Sequence, residues 1–386
     1  MKTDSYCEAD VVIVGGGIAG CTLAMALATS YKVIVIDKLQ EPAERIGECL
    51  APAARRILRK LNLLQGITDY NTVAGLYLPN LGTRSYWGSN TQQIVDHLRN
   101  PDGLGWHLNR KAFEMHLRKE TAARGVQCCW NTRLSSVAFE QMQWRLKVKS
   151  SAETSDESVS CIKAKFVVDA SGRLSAFARL LGVKRDHFDK LIAHWAIVPD
   201  QEAAQMSIIS AAETGWWYTA SLPDNKRVVA MHTDPDLVEK HSTKDADWFL
   251  EAAKMNEAMA SVLTTVDALD YCGVVAANST RLQQVAGPQW AAVGDAAMSF
   301  DPLSSQGMFN AMAGAVQLAA LILAPGQNAL DDPREGERIA TLYSRQMDSI
   351  WERYTAHKAL FYTQEQRWQK APFWSRRNSQ ISAIGR

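Results

Sequence analysis

The chain has 386 residues and a formal net charge of +1, with 47% hydrophobic and 22% charged residues. This balance is that of an ordinary soluble globular protein, so it excludes a disordered or fibrous chain and gives no reason to expect a nucleic-acid partner. The length favours two interlocked domains, and no apolar run reaches the roughly 18 residues that a transmembrane segment needs.

The start of the chain predicts a parallel βαβ unit. Residues 10–15 and 31–37 are apolar, β-branched runs typical of buried strands, and residues 18–29 between them have a helical pattern. The first apolar run stops at glycines and lacks the basic start and the cleavage site of a signal peptide. We therefore expect a cytoplasmic protein that opens with a dinucleotide-type fold.

Glycines in the pattern G-x-G-x-x-G lie where the first predicted strand turns into the helix. Gly15 permits the tight turn, Gly17 lets the backbone approach a pyrophosphate, and Gly20 allows close packing of helix on strand. The helix N-terminus then offers free N–H groups to phosphates. Asp37 ends the second strand, where an acid can bind ribose hydroxyls, and Lys38 follows it as a further cofactor-binding candidate. This arrangement predicts dinucleotide binding.

The middle of the chain predicts a second, antiparallel domain. Strands are expected near residues 190–198, 205–210, 215–222 and 227–233, followed by helices within 244–264. Strands followed by helices in this way are typical of an antiparallel sheet with attached helices, here inserted into the first domain.

A late segment favours FAD over NAD as the dinucleotide. Gly294 and Asp295 end a predicted strand, where an acid can hold polyol hydroxyls. The segment 301–307 (DPLSSQG) then opens a helix predicted to reach residue 323. The N-terminus of that helix can stabilise the negative charge of a reduced flavin ring.

Three ordered motifs resemble those of the p-hydroxybenzoate hydroxylase-type flavoprotein superfamily: the glycine loop at 15–20, the segment 169–173 (DASGR), and Gly294-Asp295 with Pro302 and Gly307. The resemblance implies an α/β fold, with a Rossmann-like FAD-binding domain of the glutathione reductase type 2 class, an inserted antiparallel-sheet substrate domain and C-terminal helices. The predicted domains are a discontinuous FAD-binding domain (1–75, 100–185 and 280–325), a substrate domain (76–99 and 186–279) and a C-terminal helical segment (326–386).

The resemblance also implies which residues contact FAD. Asp295 would bind the ribitol, and Asp169 and Gly172 would brace the pyrophosphate region. Three further residues match family positions that contact FAD: Arg45, Glu48 and Arg110. The backbone that would face the isoalloxazine belongs to Pro302, Ser305, Gln306, Gly307 and Met308.

Within the superfamily, the GECLAP, DASGR and GDAAMSFDPLSSQG segments look most like the branch of tryptophan halogenases and geranylgeranyl reductases. Halogenases need a lysine between the glycine loop and the helix near residue 110, and a glutamate in the proline motif. This chain has no lysine between Lys60 and Lys111, and Ser304 stands at the glutamate position. We therefore expect no halogenation.

A closer resemblance is to flavoproteins that modify tryptophan in precursors of quinone-cofactor enzymes, through segments 215–223, 301–307 and the residues after 365. It implies an FAD-dependent monooxygenase that hydroxylates a tryptophan of a partner precursor protein during tryptophylquinone cofactor biogenesis. A reduced flavin and O₂ would give a C4a-hydroperoxide that attacks the electron-rich indole. The chain contains no CxxC pair and no HExxH motif, so no metal site is predicted.

Several alternatives remain open at this point. The protein would then be a small-molecule aromatic hydroxylase, a geranylgeranyl-reductase-like flavin reductase, or a flavin-containing protein that binds its client without turnover. Because no second glycine-rich βαβ unit occurs, the electron donor is either NAD(P)H that docks transiently or a separate reductase.

Four residues are candidates for catalysis: Trp217, His194, His232 and Asp301. Trp217 and its neighbours Trp216 and Tyr218 would stack on substrate or close over the flavin, although alternate strand residues face opposite ways, so at least one of the tryptophans is ordinary packing. The two histidines lie on neighbouring predicted strands and would orient substrate or shuttle protons, or else are ordinary hydrogen-bonded histidines. Asp301 would act on a proton or cap a helix.

The chain ends in a basic, aromatic tail. After Glu365 it contains Lys and Arg but no acid, interleaved with Trp368, Phe373 and Trp374. Three interpretations apply: a docking surface for a partner protein, a membrane-surface helix, or a segment that packs back onto the body.

Overall fold

The structure, a computed structural model, describes residues 6–68, 76–151, 157–200, 202–238, 245–326 and 329–384. Within these ranges no helix is long and apolar enough to cross a membrane. The strands are β1 Tyr6–Val14, β2 Val33–Ile36, β3 Cys49–Leu50, β4 Tyr77–Asn80, β5 Gly82–Tyr86, β6 Gln93–Asp96, β7 Gly105–Leu108, β8 Gln127–Cys129, β9 Thr132–Glu140, β10 Gln143–Ser151, β11 Glu157–Asp169, β12 Arg185–His187, β13 Ile192–Pro199, β14 Met206–Ala212, β15 Gly215–Leu222, β16 Lys226–Thr233, β17 Asp270–Ala276, β18 Thr280–Leu282, β19 Ala286–Gly287, β20 Trp290–Ala292 and β21 Met298–Ser299.

The helices separate groups of these strands along the chain and follow the last of them. They are α1 Ile18–Leu27, α2 Ala54–Lys60, α3 Leu64–Thr68, α4 Arg110–Ala123, α5 Ala176–Leu180, α6 Ala246–Lys254, α7 Glu257–Ala260, α8 Gly307–Leu323, α9 Pro333–Gln364 and α10 Pro372–Ile384. The predicted C-terminal helical segment (326–386) contains two helices, α9 and α10, because the chain leaves the helical conformation at Glu365.

The first sheet has the strand order β19-β20-β11-β1-β2-β8, and β9 and β10 form an antiparallel extension on β11. Its central strands are parallel, and Val14 of β1 pairs with Asp169 of β11, which in turn pairs with Ala292 of β20. The carboxyl ends of these strands therefore meet at one edge. This register brings the three sequence motifs together, since each motif follows one of these strands.

The second sheet has the order β17-β13-β16-β15-β14-β5-β6 and is antiparallel except for the β14–β5 pair. Strands β5 and β6 thus join the inserted segment, while β4 pairs with β7 in a small sheet with β3. Trp216 of β15 pairs with His232 of β16, and Trp217 pairs with Met231. Because side chains alternate across a strand, these two pairs face opposite sides of the sheet.

The C-terminal tail packs back onto the body. Phe373 and Trp374 of α10 are fully buried, and the indole Nε1 of Trp374 donates to the carbonyl of Ala212 at 3.0 Å. Arg377 is also buried and donates to Asp234 Oδ1 at 2.8 Å. Of the three interpretations of the tail, packing against the second sheet is the one that the structure supports. The mixed architecture matches the predicted fold class, which is confirmed.

Candidate active site

A cavity of about 860 Å³ lies at the carboxyl ends of β1, β2 and β11 and extends to the second sheet. A volume of this size is in the range of ligand sites in proteins. Most predicted FAD contacts line this cavity: Gly15, Gly17, Asp37, Lys38, Arg45, Glu48, Arg110, Gly172, Asp295, Pro302, Ser305, Gly307 and Met308.

Among the three motif glycines Gly15, Gly17 and Gly20, only Gly17 has open space beside it for a ligand. A Cβ on Gly15, whose φ is +115°, would lie 2.3 Å from the carbonyl oxygen of Ala170, and one on Gly20 would lie 1.9 Å from the carbonyl oxygen of Gly15. A Cβ on Gly17 would meet nothing closer than Glu114 Oε2 at 3.8 Å. Gly15 and Gly20 thus serve the turn, and Gly17 leaves space at the N-terminus of α1, as a pyrophosphate requires.

Asp37 and Arg118 stabilise the glycine turn through hydrogen bonds to the backbone of Gly16. Asp37 Oδ2 accepts from the backbone N–H of Gly16 at 2.7 Å, and Arg118 Nη2 lies 3.3 Å from the same oxygen. Arg118 also donates to the carbonyl of Gly16 at 3.0 Å. The acid at the end of β2 therefore shapes the dinucleotide turn as well as lining the cavity.

Charged residues of α4 form the next part of the wall. Arg110 Nε donates to Glu114 Oε1 at 2.8 Å, and Arg45 lies 3.6 Å from Oε2. Glu114 is buried, and within the described residues its Oε2 has no hydrogen-bond partner. A buried carboxylate oxygen without a donor, beside the open space at Gly17, is a place for a ligand hydroxyl. The chemistry of this wall fits FAD, since cations suit its phosphates and acids suit its hydroxyls.

Four predicted cofactor residues do not line this cavity: Gly20, Asp169, Gly294 and Gln306. Asp169 is fully buried and accepts from the backbone N–H groups of Phe177 and Ala178, each at 2.9 Å, so it braces the turn that carries Gly172. Burial raises the pKa of this carboxyl. Gly294, with φ at +61°, lets the end of β20 approach α1, because a Cβ there would lie 3.0 Å from the Cβ of Ala19. Gln306 lines a smaller neighbouring cavity of about 470 Å³.

The late motif presents an acid and a helix N-terminus to the main cavity. Asp295 is half exposed, with one carboxylate oxygen 3.9 Å from Arg173 Nε. The side chain of Gln306, the N-cap residue of α8, makes no capping hydrogen bond in the described part of the chain, so the first N–H groups of the helix are available to a ligand. Both features fit the ribitol and ring of a flavin.

The far end of the cavity is an aromatic wall of the second sheet. Trp216 stacks flat on His232, with ring centroids 3.6 Å apart and an interplanar angle of 5°. Burial lowers the pKa of His232 to about 3, so its imidazole is neutral near pH 7. Among the described residues, neither His232 Nδ1 nor the hydroxyl of Tyr218 makes a hydrogen bond of ordinary geometry. Both groups line the cavity and are buried, so His232 Nδ1 is open to a bound ligand, while the Tyr218 hydroxyl has the carboxyl of Glu48 as its neighbour.

Glu48 lies beside Tyr218 at this end. Burial, followed by the neighbouring Glu48, raises the pKa of the Tyr218 phenol well above its ordinary value. Burial also raises the pKa of Glu48, whose Oε2 accepts from the backbone N–H of Gly47 at 3.0 Å. Glu48 and Tyr218 are thus a buried pair of titratable groups at this end of the cavity.

Two of the catalytic candidates lie elsewhere. Trp217 packs against Phe249 of α6, with ring centroids 5.4 Å apart, and His194 Nδ1 lies 2.9 Å from the hydroxyl of Tyr271. The physical reason is register: both residues pair with Met231, so they share the sheet face that α6 covers. Contact with a ligand in the main cavity, predicted for Trp217 and His194, is therefore not supported. His232 and Asp301 do line the cavity.

Trp217→Ala is expected to lower stability rather than turnover. Removing a buried tryptophan side chain typically costs about 3–5 kcal/mol, and Trp217 is 3% exposed. Denaturant unfolding should show that loss, while turnover per folded, FAD-loaded molecule stays near wild type. A selective loss of turnover at unchanged stability would instead place Trp217 in the reaction.

His232 is expected to contribute to the pH dependence of the free energy of unfolding. The folded protein holds this imidazole with a pKa of about 3, below its ordinary value of 6.5, so the unfolded chain binds more protons between these limits. The contribution of His232 is therefore complete above pH 6.5 and is lost as the pH falls. Unfolding experiments at several pH values should show a shallower decline for His232→Gln than for wild type. Parallel curves for the two proteins would contradict this assignment.

The fold and the cavity define an FAD-dependent oxidoreductase. The family model described as an FAD binding domain, FAD_binding_3, matches residues 8–332, and the chain belongs to this family. The predicted cofactor is thereby confirmed, and so is the placement in the monooxygenase superfamily that includes flavin-dependent halogenases.

Three relatives carry the comparison further. A protein of Marinomonas mediterranea named as the FAD-dependent oxidoreductase LodB is 28% identical over 375 residues, which cover 96% of this chain and 97% of LodB. The crystal structure of CmlS, a flavin-dependent halogenase, has a TM-score of 0.82 at 22% identity and covers 100% of this chain and 70% of CmlS. The structure of QhpG, described as a peptidyl tryptophan dihydroxylase essential for tryptophylquinone cofactor biogenesis, has a TM-score of 0.75 at 20% identity and covers 96% of this chain and 79% of QhpG. The two structural likenesses establish the fold.

Two charged residues of this site were not predicted from the sequence. Glu114 and Arg118 follow Arg110 at four-residue spacing on α4. Charged residues repeated on one face of a helix with apolar neighbours were the available signal, because such a face either meets solvent or lines a polar site. Only the packing of α4 against α1 distinguishes these outcomes.

Proposed function

We propose that this enzyme is an FAD-dependent monooxygenase that hydroxylates a tryptophan side chain of a partner precursor protein during tryptophylquinone cofactor biogenesis. The observation that carries the proposal is the continuity of one cavity from the glycine turn to the wall of Trp216, Tyr218 and His232. The name of QhpG supports this class of reaction, and the name of LodB supports an FAD-dependent oxidoreductase.

The residues of the aromatic wall suit an indole. The neutral imidazole of His232 offers one acceptor nitrogen, and an indole N–H is a donor only. The stacked Trp216 and the phenol of Tyr218 provide flat apolar surface for the ring. When FAD is bound, it supplies the activation of O₂ and the oxygen transfer. Glu48, next to Tyr218, is the group placed to take the proton that the ring carbon releases.

Hydroxylation fits better than halogenation. No lysine occurs between Lys60 and Lys111, and Ser304 occupies the position at which the halogenase motif has glutamate. Lys358 of α9 does approach the cavity-facing turn, but its ammonium is engaged by Asp189 and by Ser279 Oγ. This lysine is thus committed to an ion pair rather than free to form a reactive adduct.

A polypeptide substrate fits the rim of the cavity. Leu174 and Leu180 line the cavity and are 43% and 45% exposed, and Val275 on the edge strand β17 is 36% exposed. Exposed apolar side chains around an opening are typical of sites that receive another molecule. A partner chain would cover them while its tryptophan reaches inward.

Co-expression of a tryptophylquinone-enzyme precursor with and without this protein tests the proposal. Mass spectrometry should find a gain of one or two oxygen atoms on a tryptophan peptide only when the flavoprotein is present, and none with a Glu48→Gln variant. Oxidation of free indoles or phenols instead of the precursor would favour a small-molecule hydroxylase. Substrate reduction without oxygen uptake would identify a reductase, and a stable complex without a mass change would identify a binding protein.

A further inference from the structure

One face of α9 carries Tyr354, Lys358 and Tyr362 at four-residue spacing, which places them on the same side of the helix. All three reach Asp301. The backbone N–H of Asp301 donates to the hydroxyl of Tyr354 at 2.8 Å, and the hydroxyl of Tyr362 donates to Asp301 Oδ2 at 2.8 Å. Lys358 Nζ lies 3.9 Å from the same carboxylate oxygen. We call these three residues the α9 clamp.

Asp301 is the first residue of the turn that faces the main cavity. It is 2% exposed, and its Oδ1 accepts from the backbone N–H of Leu303 at 3.0 Å, which closes the turn. The turn ends at Ser305 with φ at +49°, a left-handed conformation that is unfavourable for a residue with a side chain. Such a conformation persists where surrounding contacts hold it. The clamp supplies these contacts at the start of the turn.

Tyr362 joins the turn to the aromatic wall. Its hydroxyl accepts from the indole Nε1 of Trp216 at 3.2 Å, and Trp216 stacks on His232. Because a tryptophan N–H is only a donor, the proton of Tyr362 is committed to Asp301. One buried hydroxyl therefore connects the cavity-facing turn with the wall at the far end of the cavity.

The clamp is braced from outside. Lys358 Nζ bonds to Asp189, which follows β12, and to Ser279 Oγ at 2.7 Å. The hydroxyl of Tyr354 is also 2.7 Å from Ser279 Oγ. These contacts join residues from three separate parts of the chain, so α9 is held in place independently of any ligand.

We propose that the α9 clamp is a positioning device that fixes the distance between the cavity-facing turn and the Trp216–His232 wall. The part that concerns the reaction rests on the proposed function: the turn holds the edge of the flavin, and the wall holds the aromatic ring. With the clamp intact, an oxygen atom from O₂ is transferred to the aromatic ring of the substrate. With the clamp broken, the two electrons of the reductant and two protons leave with O₂ as hydrogen peroxide instead.

Tyr362→Phe and Tyr354→Phe test the clamp, and Tyr343→Phe is the matched control. Tyr343 is a buried tyrosine of the same helix, but its hydroxyl donates to the carbonyl of Ala292 at 2.9 Å and not to Asp301. Neither Tyr354 nor Tyr362 lines the main cavity, and the phenylalanine variants keep the ring contact of Tyr354 with the cavity-lining Phe300, so the lost hydroxyls act on bound FAD through Asp301 or Trp216. Each variant is purified as the FAD-loaded full chain.

The visible absorption and circular dichroism of bound FAD are expected to shift in both clamp variants and to match wild type in Tyr343→Phe. With a precursor substrate, the yield of hydroxylated product per O₂ consumed should fall on the order of tenfold, because small misplacements of reacting groups have effects of this size. The lost product should reappear as hydrogen peroxide.

FAD spectra in the clamp variants that equal those of Tyr343→Phe would overturn the proposal. If Tyr362→Phe does not fold, Tyr354→Phe decides alone, since it removes a different bond to the same aspartate. The spectra need no substrate. A spectral shift together with a wild-type enzyme that hydroxylates no tryptophan would therefore retain the clamp and reject the proposed function.

Discussion

Gly17→Val is expected to yield a folded protein that no longer retains FAD. Gly17 has φ at −87° and ψ at −165°, an extended conformation that valine adopts readily, and the nearest atom to its Cβ position is 3.8 Å away. The added side chain would fill the space at the N-terminus of α1 where a pyrophosphate approaches. Loss of one or two hydrogen bonds to a charged group costs about 1.5–3 kcal/mol each, which corresponds to a roughly 10²-fold or larger loss of affinity.

The measurement is the ratio of flavin to protein in the purified variant, together with its unfolding midpoint in the absence of FAD. Gly314→Ala in α8 is the matched control, because a Cβ there would make an ordinary contact of 3.7 Å with Val293. Full flavin content in Gly17→Val would mean that the cofactor's phosphates lie elsewhere. A collapse of stability in the absence of FAD would mean that the glycine serves packing.

Tyr218→Phe is expected to reduce product formation by about 10²-fold while FAD stays bound. The phenol is buried at the end of the cavity beside Glu48, and positioned acid–base groups typically contribute 10²–10⁴-fold to a rate. Without the hydroxyl, the carboxyl of Glu48 loses its polar neighbour and the ligand loses one hydrogen-bonding group. The fall should appear in kcat more than in KM.

Tyr31→Phe provides the control for this variant. Tyr31 is also buried, and its hydroxyl donates to the carbonyl of Gly326 at 3.0 Å at the opposite end of α1. It should lose some stability and retain wild-type turnover. Wild-type turnover in Tyr218→Phe would exclude the phenol from the reaction and leave His232 and Glu48 as the polar groups of the wall.

The position of Gly17 follows from local sequence, whereas the position of Tyr218 depends on contacts between distant parts of the chain. The glycine turn is a local feature: strand, turn and helix are contiguous, and each glycine answers a steric demand within a few residues. The same holds for Asp169 and Asp295, since Asp169 ends β11 and Asp295 lies in the short turn that follows β20. Parallel strands carry their carboxyl ends to one edge, so the sequence order of these motifs already implied one shared site.

The aromatic wall required more than local information. Neighbouring Trp216 and Trp217 are both aromatic, so the pattern of β15 does not tell which of them faces the cavity. The prediction chose Trp217, and the structure places Trp217 against Phe249. What decides is the packing of α6 on one face of the sheet, which the sequence of β15 does not contain.

The sequence by itself determined the parallel βαβ unit, the FAD-binding motifs and the family resemblance, because these depend on residues close together in the chain or on a fixed order of strands. Only the tertiary structure decided which aromatic residues line the cavity, that α10 packs back on the body, and that α9 grips Asp301. These features arise from contacts between residues far apart in the chain. Their energies depend on distance and burial in the folded molecule, and no spacing along the sequence encodes them.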